Sequence, residues 1–177
     1  MSDQLSAEDW LDQGLRTLAE KGFTALKAEP LSKAMGVSRG SFYWHFADIS
    51  AFHDALLQHW REIATEQIIA TLESGSNKGE RLRLLLQRVF SAKLTLENAV
   101  RTWATLNPAA RSAVQAIDRR RLGYIESLLS ERGLSSDVAR ARAQVLYWAF
   151  LGFVQSDKQV PPSARSSILE ALLRIAR

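Results

Sequence analysis

Residues Gly36 to Phe46, reading Gly-Val-Ser-Arg-Gly-Ser-Phe-Tyr-Trp-His-Phe, constrain the fold of this chain more than any other stretch. Gly36 and Val37 suit a tight turn, Ser38 a helix start, and Phe42 and Phe46, four residues apart, one face of a short helix. The segment before them, Glu29 to Met35, has helical spacing of its own. Leu31, Ala34 and Met35 form its expected buried face, and Pro30 lies in the first turn, where a missing N–H costs little. Two short helices joined by a glycine turn, the second apolar inside and polar or aromatic outside, read as a helix-turn-helix.

The rest of the chain is patterned for helices as well, with no alternating strand segment, so the expected class is all-α with about nine helices. Ser6-Ala-Glu-Asp9 resembles a capping box and opens a first helix, with Trp10, Leu11, Leu15 and Leu18 at helical spacing and Gly22 as its stop. Asp48 caps a long helix marked by Phe52, Leu56, Trp60, Ile63, Ile68 and Leu72, followed by a loop at Glu73 to Gly79. Further helices are predicted over about 80–97, 99–106, 109–132, 135–155 and 163–175, the last after Pro161-Pro162.

The 177 residues suffice for a real core, and the chain has no cysteine, which excludes disulfides, zinc-thiolate sites and thiol nucleophiles. No apolar run reaches the ~18 residues of a membrane span, and the acidic Met1 to Trp10 lacks a signal-peptide core, so a cytoplasmic protein is expected. No cofactor is implied. His53 and His59 lie six apart on one helix and cannot share a face, so no metal site is expected. Arg119-Arg120-Arg121 reads as a solvated helix face. The net charge of +4 does not mark the helix-turn-helix. Residues 1–50 hold five basic and seven acidic residues, and the positive excess lies in 51–177.

In the helix that begins at Ser38, the outer residues divide by chemistry. Ser38 and Arg39 stand at the end that meets base edges, and the planar fork of Arg39 matches guanine O6 and N7. Gly40 permits close approach of backbone to DNA, and Ser41 flanks it. Tyr43 and His45 suit phosphate contacts, with Lys33 adding charge from the first helix. Trp44 belongs either to this surface or to packing against the following helix.

Gly36 to Phe46 resembles the signature of TetR/AcrR-family transcriptional regulators, Gly-Val-Ser-x-Gly-(Ser/Thr)-(aromatic or Leu)-Tyr-x-(His/Tyr)-Phe. Gly22-Phe23, Leu31 and Ala34 fit too, so the likeness covers roughly the first fifty residues. Two positions depart from it. Lys27 stands where the family often caps the second helix with Thr, and Ala47-Asp48-Ile49-Ser50 lacks the lysine that often follows the terminal Phe and touches phosphate.

The resemblance implies a DNA-binding head at 1–47 and an effector-binding, dimer-forming domain at 48–177. It further implies a homodimer on a palindromic operator, a repressor released by a small apolar or aromatic effector, and no membrane partner. Candidate pocket residues are Trp60, Leu86, Phe90, Trp103, Leu106, Tyr147 and Phe150. Candidate dimer residues are Ala141, Val145, Trp148, Ala149, Gly152, Leu169, Leu172 and Leu173, for which intramolecular core is the other reading. Two rival functions remain. An effector-independent, nucleoid-type DNA-binding protein differs only in having a solid C-terminal core. A small helical enzyme would need a nucleophile-base pair or carboxylate dyad, and no such spacing occurs.

Overall fold

A computed structural model describes residues 5–156 and 160–177. The helices are α1 (Ala7–Lys21), α2 (Ala28–Ala34), α3 (Arg39–His45), α4 (Ile49–Arg61), α5 (Gln67–Gly75), α6 (Lys78–Ser91), α7 (Thr95–Leu106), α8 (Pro108–Ser130), α9 (Ser136–Gln155) and α10 (Pro162–Ile175). A 3-10 turn spans Phe23–Ala25 and a π-helical segment spans Glu62–Glu66. With the unbroken helical run 49–75 counted once, the described residues form nine helices and no strand. The class is all-α.

The chain divides into two compact units, residues 1–64 with 95–115 and residues 65–94 with 116–177. This division differs from a break after residue 47. In the first unit α1 packs against both α4 and α7, so those two helices share a core with the head.

That first core grows directly from the apolar spacing of the sequence. The capping box starts α1: Ser6 Oγ accepts from Asp9 N–H at 3.2 Å, and Ser6 N–H donates to Asp9 Oδ2 at 2.7 Å. The bonds from Ser6 hold the Asp9 carboxyl below its ordinary range. Gly22 ends the helix at φ 77°, a conformation that favours glycine. Trp10, Leu15 and Leu18 turn inward to meet Phe52, Leu56, Trp60, Val100 and Trp103, all buried. Gly14 lets α1 lie close on α4, since a Cβ there would stand 2.7 Å from Phe52 Cζ. His53 bonds the Leu26 carbonyl through Nε2 at 3.0 Å and meets Trp103 edge-on, while His59 Nε2 lies 2.8 Å from Asp12 Oδ1. Each imidazole therefore ties α4 to a neighbour within this unit.

The second core gathers Leu72, Leu82, Leu86, Tyr124, Leu128, Leu129, Leu146, Tyr147, Phe150, Leu172 and Leu173. The turn between α5 and α6 is shorter than the loop predicted at Glu73 to Gly79, because only Ser76 and Asn77 lie between the helices. Side chains satisfy the freed carbonyls. Ser76 Oγ donates to Leu72 O at 2.6 Å, and the nearly buried Arg81 donates to Glu73 O at 3.0 Å while pairing with the Glu73 carboxylate at 2.6 Å. Tyr124 closes the cluster by donating to Glu73 Oε1 at 2.8 Å.

Three further expectations are corrected. The helix predicted over 80–97 stops at Ser91 and the next begins at Thr95. Starting there, the helix buries Glu97, Val100 and Trp103 on one side, and Glu97 pairs with Arg101 at 2.9 Å. On α2 the buried positions are Ala28, Leu31 and Ser32, whereas Ala34 is exposed; Ser32 is accommodated by donating to the Ala28 carbonyl at 2.7 Å. The arginine triplet is not a uniformly solvated face. Arg119 is exposed, but Arg120 reaches Glu66 at 3.1 Å, and Arg121 donates to Thr65 Oγ1 at 3.0 Å and lies over the Phe150 ring.

Candidate nucleic-acid interface

The first unit carries the helix-turn-helix, whose buried inner side determines which residues face outward. Phe42 and Phe46 are buried, and their rings stand 5.2 and 5.0 Å from that of Phe52; Trp10 meets Phe42 edge-on at 5.4 Å. This aromatic cluster fixes α3 against α1 and α4. Gly36 makes the turn at φ 68°, and Val37 N–H donates to Ser32 O at 3.0 Å, which sets the angle between α2 and α3. Ser38 occupies the N-cap position in extended geometry, yet its side chain makes no capping bond. Its hydroxyl is thus not committed to the helix.

With Phe42 inward, residues 39, 40, 43 and 44 fall on the outside. Arg39 and Gly40 are exposed, Tyr43 is 48% exposed and Trp44 is 79% exposed. Packing of Trp44 against the following helix is excluded by that exposure. Ser41 and His45 are half-buried at the flanks, and Lys33 is exposed on α2. Of the eight sequence-selected residues, Lys33, Ser38, Arg39, Gly40, Tyr43 and Trp44 are exposed, and Ser41 and His45 are half-buried. Gly40 is informative. A Cβ there would meet nothing closer than Ser38 Oγ at 3.5 Å, an ordinary contact, so the chain's own packing does not require glycine. The Asp48 side chain caps α4 by accepting from Ala51 N–H at 2.8 Å, which puts a carboxylate beside this surface.

Residues 11–56 match the family model of bacterial regulatory proteins, tetR family. The head is a tetR-family domain. No curated protein matches the sequence. Among solved structures, a protein assigned as a TetR/AcrR-family transcriptional regulator is similar with a TM-score of 0.78 at 21% identity, covering 97% of this chain and 98% of that one. One assigned as a transcriptional regulator from Saccharomonospora viridis, in complex with choline, gives 0.76 at 18% identity over 95% of each chain. The multidrug binding protein EbrR, complexed with malachite green, gives 0.67 at 19% identity over 96% of each. The fold of the whole chain is thus that of TetR-family transcriptional regulators.

Beyond the tetR-family head, the remaining candidates disperse. Trp60 and Trp103 are buried in the first core, and Leu106, at the end of α7, is 69% exposed. Tyr147 and Phe150 lie in the second core, where Tyr147 donates to Asp118 Oδ1 at 2.6 Å. Leu86 and Phe90, by contrast, line a cavity of about 280 Å³ between α6 and the start of α10. Gln87, Ser91, Val160, Arg165, Ser166 and Ile168 complete its wall with Leu169. Sequence reasoning missed these polar lining residues, because nothing in the spacing of α10 says which neighbour its flank will meet.

Of the dimer candidates, Ala141 and Gly152 are exposed, Val145 is 43% and Trp148 62% exposed, and together they form one stripe along α9. Ala149 and Leu169 are half-buried against the second core. Leu172 and Leu173 are buried within it, so for these two the intramolecular reading holds.

Proposed function

We propose that the protein is a DNA-binding transcriptional regulator, acting as a ligand-responsive repressor on a palindromic operator. One observation carries this reading: α3 holds Arg39, Gly40, Tyr43 and Trp44 outward on a base of buried Phe42 and Phe46. Trp44 at 79% exposure forfeits burial that would be worth about 2 kcal/mol, and a mid-surface glycine that the chain itself does not require adds to the cost. Both are accounted for if a major groove receives this face. Arg39 reads guanine, Tyr43 and Lys33 bond phosphates, and Gly40 lets the helix backbone approach the base edges.

Homodimer formation is supported by the exposed α9 stripe of Ala141, Val145, Trp148 and Gly152, which mixes small and large residues as close packing of two helices requires. A two-fold dimer would set its α3 helices in successive major grooves ~34–36 Å apart. The structural relatives holding choline and malachite green support a small-molecule effector. Such an effector regulates only if it binds the DNA-competent and DNA-incompetent conformations with different affinities. A cytoplasmic location follows from this role.

Selection of bound sequences from a random duplex library tests the reading. A palindromic site should emerge, and Arg39→Ala should cost about 1–3 kcal/mol of discrimination at one base pair per half-site. Gly40→Ala should weaken DNA binding while leaving the protein as stable or more so. Failure to enrich any sequence, together with indifference to Arg39→Ala, refutes the proposal.

A further inference from the structure

The second unit contains a cavity whose wall has a consistent chemistry. Its floor is Leu86, Phe90, Ile168 and Leu169, and the side chain of Phe90 is held in place by the ring of Phe153 at 5.1 Å. Among the described lining residues there is one cation, Arg165, and no carboxylate. Arg165 Nε donates to Val160 O at 3.3 Å, which anchors the guanidinium to the wall. Glu170, on the same helix, is engaged by Arg83 at 3.1 Å, an ion pair that also ties α6 to α10 beside the cavity. Arg165 is exposed, and no ion pair of its guanidinium occurs among the described residues.

A mostly apolar cavity with one arginine on its exposed side suits a ligand that is apolar at one end and anionic at the other. A cation would meet repulsion, and a neutral molecule would leave the guanidinium without an anionic partner. The volume of about 280 Å³ has room for about nine atoms of water size, at ~30 Å³ each. We infer that this cavity is a site for a small amphipathic carboxylate, a straight-chain acid of about eight carbons, with its carboxylate on Arg165 and its chain against Leu86, Phe90, Ile168 and Leu169. The inference rests on the reading of the protein as ligand-responsive only for its regulatory meaning; binding itself is independent of DNA.

Titration calorimetry on the full chain without DNA separates the two. Sodium octanoate should bind at least tenfold more tightly than 1-octanol, and octyltrimethylammonium should bind more weakly than either. Arg165→Gln should weaken octanoate about tenfold and leave octanol within twofold, because only the charge-assisted bond is lost. Ser166→Trp, at an exposed lining position, should block octanoate and octanol alike while the circular dichroism spectrum and melting temperature are unchanged. Equal affinity for octanoate and octanol, no effect of Arg165→Gln, undiminished octanoate binding in Ser166→Trp, or no binding by any probe would each overturn the assignment. Octanoate binding that leaves the selected DNA complex intact would instead sustain the site and refute the effector role.

Discussion

Gly14 offers the sharpest test of how the head is assembled, because two opposed effects of known size meet at one position. It lies in the middle of α1, where replacing glycine by alanine ordinarily stabilises a helix by about 1 kcal/mol. Against this, the new Cβ would stand 2.7 Å from Phe52 Cζ and 2.8 Å from Leu56 Cδ1, inside any real carbon contact. The Leu56 methyl can move, but Phe52 cannot swing away, since its ring is buried against Phe42 and Phe46 at 5.2 and 5.0 Å. Overpacking of this kind costs about 1–3 kcal/mol. Gly14→Ala should therefore be destabilising by up to about 2 kcal/mol and lower the melting temperature by up to about 8 °C.

Gly123 supplies the internal control. It is interior to α8, exposed, and a Cβ there would meet nothing within 4 Å. Gly123→Ala should gain about 1 kcal/mol and raise the melting temperature by about 2–4 °C. Urea unfolding followed by far-ultraviolet circular dichroism on both variants gives the comparison. If Gly14→Ala stabilised the protein as much as Gly123→Ala does, α1 and α4 would not be in the tight contact described, and the argument for how α3 is held would fail.

Other consequences are testable in the same preparations. Lys27 is the N-cap of α2 and makes no side-chain capping bond, so Lys27→Thr should stabilise the protein by about 0.5–2 kcal/mol in urea titrations. Ala47→Lys should strengthen binding to any duplex and steepen the slope of log K against log salt by about one, which fluorescence anisotropy across a salt series measures. Burial, with the Glu73 carboxylate beside it, raises the Tyr124 phenol well above its ordinary value. A raised folded-state value means a stability contribution that is complete below ~10 and declines as pH climbs above it, so Tyr124→Phe should flatten the alkaline limb of a stability–pH curve.

The helix-turn-helix was legible because its residues solve a local problem. The Phe42/Phe46 spacing, the positive φ at Gly36 and the Asp48 cap are all written within a turn or two of where they act. The same holds for the Ser6/Asp9 box. The inner face of α2 was harder, because Ser32 became a core residue only by bonding to its own helix at Ala28, leaving Ala34 to solvent. The break at Ala92 to Leu94 carries neither glycine nor proline, so no local signal marks it. Most opaque were Trp60, Trp103, Tyr147 and Leu172. An apolar residue at helical spacing records that something covers it, not whether the cover is a ligand, a second copy or the chain itself. Arg121 shows the converse: three consecutive arginines look solvated until a threonine and an aromatic ring arrive from elsewhere in the sequence.

The interleaving of the two units bears on how the protein can be made. The first unit requires α7, which packs on α1, although some thirty residues of the second unit, 65–94, are synthesised between them. A nascent chain that has released the whole tetR-family segment, 11–56, therefore still lacks Val100 and Trp103 from the core on which that segment rests. The second unit in turn waits for Leu172 and Leu173 of α10. Excising 1–56 as a minimal DNA-binding module would strand buried aromatic surface. Shuttling the head between regulators calls for a graft that carries 95–115 along with it.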